Sequence, residues 1–239
     1  MFTRQITISW LLNYLNMGWG FIFTLFLTPF IIRELGQNEF GIYSLIGSFA
    51  AYLHLLEFGM GAAVVRYVAK YNAENDERGR ENFLAMILYI HIIVAVLILM
   101  TGFFLTTQLD KIFAASLTNS ADIQKAVTMM TILTASFAFC AISNVFVGVL
   151  NGHEQFIFPR LVSSVSWIGR ILATIFILIQ IPTAVAITVV TAGFAVFAGA
   201  VNAYYAIRRY KVRIKLHTWK ISLLREVLSF SFYNFLLII

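Results

Sequence analysis

FLAMILYIHIIVAVLILMTGFFLTT, residues 83–107, is a run of 25 residues without one Asp, Glu, Lys or Arg. At about 1.5 Å of rise per residue, a helix of that length exceeds the roughly 30 Å hydrocarbon layer of a bilayer. Apolar and polar residues do not alternate along it, so a membrane helix is favoured over a barrel strand. Outward from it, comparable runs recur at 8–32, 41–67, 126–150, 161–181 and 183–207, and a seventh opens near Val227 and reaches Ile239. The fold expected is all-α: a polytopic membrane bundle of six transmembrane helices plus the start of a seventh.

Composition agrees. Of 239 residues 60% are hydrophobic and 12% charged, against about 45–50% and about 25% in soluble domains. Mean hydropathy is +0.85. A soluble globular domain is excluded, and the spans leave almost no length for an extramembrane domain. The single cysteine, Cys140, excludes a disulfide within the chain. Only Arg4 precedes the first run, which is too long for a signal-peptide core, so it reads as a retained anchor.

Lys and Arg set the orientation, because cytoplasmic loops beside spans are enriched in them. With the N-terminus inside, Arg4, Arg66, Lys70, Arg78, Arg80, Arg160 and the seven cations from Arg208 to Arg225 fall on the cytoplasmic side. Arg33, Lys111 and Lys125 fall outside, and Arg170 lies within a span. The expectation is a multi-pass protein of the cell inner (plasma) membrane with its N-terminus in the cytoplasm. This asymmetry also accounts for the net charge of +6 through topology and contact with membrane lipid, without nucleic acid as a partner. The basic stretch 208–226, with Trp219, Leu223 and Leu224 among its cations, is expected to form an amphipathic helix on the inner surface.

Chemistry in the loops is sparse. His54, His91, His153 and His217 have no metal-ligand spacing, there is no phosphate-binding glycine loop, and no nucleophile elbow occurs. The chain is read as a non-enzyme that needs no cofactor. Inside the spans the position differs, because an ionisable group there is costly and marks a candidate site. Glu57 and Arg170 each lie ten residues from the cytoplasmic end of their spans, about 15 Å deep. His91 and Asn144 are at a similar level, as are Asn13 and Asn16. Together they would line a wet cavity, although a structural Glu57–Arg170 pair and interhelical Asn bonds fit the same spacing. Arg66, near a span end, is suited to snorkel toward headgroups. Small residues four apart, Gly47 with Ala51, Gly169 with Ala173 and Ala195 with Gly199, predict close helix packing.

Three motifs carry a family resemblance. Arg33-Glu34-Leu35-Gly36-Gln37-Asn38-Glu39-Phe40-Gly41-Ile42-Tyr43 resembles the R-x-L-G-x-x-x-(Y/F)-G-x-Y signature after the first span of polysaccharide and O-antigen (Wzx-type) flippases. Those proteins belong to the multidrug/oligosaccharidyl-lipid/polysaccharide exporter superfamily. Leu56-Glu57-Phe58-Gly59-Met60-Gly61 with Arg66-Tyr67 resembles their acidic-x-Gly-x-Gly and Arg pattern, and Gly148-Val149-Leu150-Asn151-Gly152-His153-Glu154-Gln155-Phe156 their glycine-rich turn between spans four and five.

The resemblance implies a V of two six-helix lobes that moves a polyprenyl-diphosphate-linked oligosaccharide between leaflets for polysaccharide biosynthesis. It implies that Arg170 attracts the diphosphate, with Glu57 masking it or binding a coupling proton or sodium ion, and with Arg66, His91 and Asn144 as further substrate-binding candidates. The domains expected are a lobe at 1–207, a basic cytoplasmic linker at 208–226 and the start of a second lobe at 227–239. Full members of the family have about twice as many spans, so the chain reads as needing a second lobe or a partner subunit. A cation-coupled drug exporter, a lipid II flippase of the same superfamily and a non-transporting scaffold subunit of a polysaccharide-synthesis complex remain the alternatives.

Overall fold

The computed structural model describes residues 2–54, 60–112 and 119–238. It contains seven helices there: α1 (Phe2–His54), α2 (Met60–Ala73), α3 (Glu77–Ile112), α4 (Ser120–Gly152), α5 (Ile157–Gln180), α6 (Ala184–Tyr210) and α7 (Ile221–Ile238). Four of them, α3 to α6, contain stretches long and apolar enough to cross a bilayer. The all-helical, multi-pass character read from the sequence is present.

The boundaries differ from the expected ones in ways that have local causes. The connector expected between 32 and 41 is helical apart from Gly36, whose φ of 74° and ψ of 170° lie outside the helical region. Only glycine adopts that conformation at low cost, which is why the signature needs glycine there. Helix α3 begins six residues earlier than its apolar run because Asp76 accepts the backbone N–H of Gly79 at 2.8 Å and so caps an otherwise charged first turn. Helix α4 likewise starts at its cap, the Asn119 side chain accepting from Ala121 N. Residues 211–220 contain no helix. The amphipathic helix expected across 208–226 is corrected: α6 runs to Tyr210, Lys211 stops it in the left-handed conformation at φ 46°, and α7 resumes at Ile221.

Helix α4 is the hub, packing on α1, α2, α3 and α6, while α5 bridges α1 and α6. In lipid there is little hydrophobic gain from bringing helices together, so close van der Waals fit must hold them. The glycine-rich turn supplies that fit. A Cβ on Gly148 would come within 2.7 Å of Val64, and one on Gly152 within 2.7 Å of Val68. Two glycines four apart on α4 thus receive two valines four apart on α2, which brings the backbones together. Beyond the seam the chain turns through Glu154 at φ 62°, with Gln155 N bonding back to Leu150 O at 3.0 Å.

Two of the three expected small-residue pairs do serve packing, since a Cβ on Gly169 would meet Phe194 at 2.6 Å and one on Gly199 would meet Ser143 at 2.9 Å. The third does not: a Cβ on Gly47 meets nothing within 4 Å, and Gly47 and Ala51 are both exposed. That pair opens a groove instead of closing a contact.

Candidate functional site

The groove that Gly47 opens lies between α1, α4 and α6 and measures about 520 Å³. Tyr43, Ser44, Gly47, Ser48 and Ala51 line it from α1, Met129, Leu133 and Phe137 from α4, and Thr188 and Thr191 from α6. A smaller hollow of about 130 Å³ adjoins it, sharing Tyr43 and Thr191 and adding Trp167, Arg170 and Thr174 from α5. One polar wall therefore runs from Ser48 through Tyr43 to Arg170.

Each side chain is placed by helix periodicity. Ser44 and Ser48 are one turn apart beside Gly47, so the α1 wall is both small and hydroxylated. Ser48 Oγ donates to Ser44 O at 2.8 Å and Thr188 Oγ1 to Ala184 O at 2.9 Å. Both hydroxyl oxygens keep lone pairs for an incoming donor. Arg170 is half-buried, with its guanidinium carbon 4.0 Å from the ring centroid of Trp167 one turn earlier. Stacking on an aromatic face satisfies a cation without neutralising it. Tyr43 lies beside Thr191 and within Coulombic reach of Arg170. Among the described residues lining the two hollows there is no carboxylate.

One end of the groove is held by Glu39, four residues before Tyr43. Its Oε2 accepts from Ala184 N at 2.9 Å, capping α6, and its Oε1 bonds Lys125 on α4. One carboxylate thus fixes the start of the α1 wall against both helices facing it.

Of the five candidates read from the sequence, the four that are described, Arg66, His91, Asn144 and Arg170, are not brought together. Glu57 and the side chains of Asn13 and Asn16 lie outside the described residues, so the pairing of Glu57 with Arg170 falls there too. His91 is 2% exposed, with Nδ1 2.9 Å from Ile87 O on its own helix. Asn144 is half-buried on α4. Arg66 is exposed, its guanidinium 4.7 Å from the ring centroid of Phe230 on α7. Of these four, only Arg170 lines the two hollows. The reading from sequence missed Tyr43, Ser44, Ser48, Trp167, Thr188 and Thr191. Tyr43 had a usable signal, as the last residue of the first motif; the hydroxyls had none, being common in membrane helices.

The polysaccharide biosynthesis protein family matches residues 2–238. No curated protein matches the chain. Three solved structures share the fold. One is a MATE transporter in complex with MaD3S, with TM-score 0.72 and 18% identity over 97% of this chain and 50% of that one. Another is an outward-facing multidrug resistance MATE transporter of the MOP superfamily, with TM-score 0.73 and 17% identity over 98% and 52%. The third is a MOP superfamily transporter from Pyrococcus furiosus whose binding pocket is described as reversed in polarity, with TM-score 0.74 and 17% identity over 98% and 51%. The chain spans about half the length of each, and at these identities the likeness concerns fold alone. The chain belongs to the polysaccharide biosynthesis protein family and is built on the fold of MOP-superfamily transporters.

Proposed function

We propose that this chain is one lobe of a transporter that moves a polyprenyl-diphosphate-linked oligosaccharide across the cytoplasmic membrane by alternating access. In this reading residues 1–207 form the lobe, 208–226 the linker and 227–239 the opening of the second lobe, with the N-terminus in the cytoplasm. The observation that carries the reading is Arg170, a cation half-buried in a hydroxyl-lined hollow whose described lining holds no carboxylate. A diphosphate needs a fixed cation in a partly desolvated setting, where attraction exceeds that in bulk water. Sugar hydroxyls need neutral donors and acceptors, which Tyr43, Ser44, Ser48, Thr188 and Thr191 supply. The polyprenyl tail stays in lipid. Glu57 is the proposed counter-charge when the site is empty, or the site of a coupling proton or sodium ion. The family match supports the assignment to polysaccharide biosynthesis.

A cation-coupled drug exporter is the second reading, favoured by the shared fold with a multidrug resistance transporter. A cationic drug would be repelled by Arg170, so the two readings predict opposite effects of reversing that charge. In a complementation assay scored by surface polysaccharide at matched protein levels, Arg170→Ala is expected to reduce export at least tenfold, and Arg170→Glu to abolish it. Export unchanged in both variants would overturn the diphosphate role; gain of drug resistance in Arg170→Glu would favour the second reading.

A further inference from the structure

A second polar hollow, sharing no residue with the Arg170 groove, lies at the end of the bundle where three connectors converge. It encloses about 240 Å³ between the start of α3, His153 at the end of α4, and residues 210–213. At about 30 Å³ per water, roughly eight waters would fill it.

Its charges are unequally engaged. Glu81 is 3.1 Å from His217 Nε2. Arg80 places one guanidinium nitrogen 2.6 Å from Asn72 Oδ1 and keeps its remaining N–H donors. Lys211 and Arg213 form no ion pair among the described residues. The left-handed turn at Lys211 brings both into one wall. That wall is fastened from the other side: Asn82, 5% exposed, accepts the backbone N–H groups of His217 at 2.7 Å and Thr218 at 2.8 Å. Trp219 packs edge-on to Tyr89, with ring centroids 6.2 Å apart. The cations are therefore carried on a strap whose ordering cost is already met by the fold, which favours binding of a ligand there.

We propose that this hollow binds a phosphoryl group, held by Arg80, Lys211 and Arg213. Three donor-only cations converging on one space match the acceptor oxygens of a phosphate, and the guanidinium fork suits its geometry. Glu77, on the same first turn of α3 as Arg80, and Glu81, bonded to His217, also line the hollow; these carboxylates disfavour an extended polyanion and leave room for a single phosphoryl or diphosphoryl group. That chemistry has two sources, the headgroup of an anionic membrane lipid and a soluble phosphate compound. The site is separate from the Arg170 groove, so it stands or falls independently of the proposed cargo.

The test uses the full chain purified in detergent, with inorganic diphosphate in one arm and phosphatidic acid in mixed micelles in the other. Binding is read by titration calorimetry. Lys211→Asn combined with Arg213→Gln is the informative variant, because asparagine tolerates the left-handed conformation at position 211. Lys215→Gln combined with Arg225→Gln removes the same charge outside the hollow. The expected result is binding by the wild type and the control, weakened about tenfold or more in the Lys211/Arg213 variant, equivalent to about 1.4 kcal/mol. Response to diphosphate names a soluble ligand, and response to phosphatidic acid alone names a lipid headgroup. No binding by the wild type in either arm, or equal affinity in all three proteins, or equal loss in both variants, would overturn the proposal.

Discussion

His91 and Arg170 are both ionisable residues well inside membrane helices, and they illustrate two solutions to the same physical problem. His91 is sealed among α3 and its neighbours, with a ring nitrogen 2.9 Å from the Ile87 carbonyl. Arg170 lies across Trp167 and faces a hollow shared with Tyr43 and Thr191. The glycines divide in the same way. Gly148 and Gly152 are covered by Val64 and Val68, whereas Gly47 faces open space. A polar or small residue at membrane depth either closes a protein contact or lines a cavity, and the neighbouring helix decides which.

The sharpest way to break this contrast is to add one methyl group on each side of it. Gly148→Ala forces Val64 to move, since the new Cβ would sit 2.7 Å from both its Cβ and its Cγ1. Overpacking of this kind costs about 1–3 kcal/mol. Gly47→Ala meets nothing within 4 Å and gains helix propensity worth up to about 1 kcal/mol. Thermal unfolding in detergent should therefore fall clearly for the first variant and hold or rise for the second. An equal drop in both would mean that the α1 groove is packed shut.

How much of this was legible in the sequence depends on the kind of interaction. Helices follow from hydropathy over a window, so α3 to α6 were found near their observed places. Gly36 and the Gly148–Gly152 turn lay inside recognised motifs, because left-handed backbone and close approach leave glycine as the practical choice. Position along a helix was legible for Arg170, which lies near the middle of α5. Facing was not: helix periodicity groups residues on one face but does not say which neighbour covers it, so both His91 and Arg170 stood as candidate site residues. The stretch at 211–220 was legible as part of a basic linker, but its non-helical path and its docking were not. Its order comes from Asn82, more than 130 residues earlier in the chain, and no local pattern records such a contact.

Two substitutions of intermediate size sharpen the contrast. Trp167→Leu removes the aromatic face under Arg170 but keeps the charge. A cation–π contact is worth about 0.5–2 kcal/mol, so export at limiting cargo should fall by roughly two- to thirtyfold, while protein level is maintained. His91→Leu removes a hydrogen bond worth about 1 kcal/mol and replaces it with apolar burial of similar volume, so both stability and export should change little. Loss of export in a well-folded His91→Leu protein would place His91 on the cargo path and remove the distinction from Arg170.

The smallest effect expected is a pH dependence at His153, beyond the end of α4. Burial is the main influence and lowers its pKa below the ordinary value of 6.5; the bond from its ring to Val149 O opposes this, and the nearby Arg80 charge adds to the lowering. The folded protein then binds the proton more weakly than the unfolded chain. Stability from this group is complete above the unfolded pKa of about 6.5 and is lost as pH falls toward the lower folded value. The unfolding midpoint should thus hold above about pH 6.5 and decline as the pH falls below it. His153→Phe retains a ring against Tyr210, whose centroid lies 4.1 Å away, but cannot take up a proton, so it should flatten that part of the slope. The same decline in His153→Phe would locate the acid-sensitive group elsewhere, leaving the histidine as packing alone.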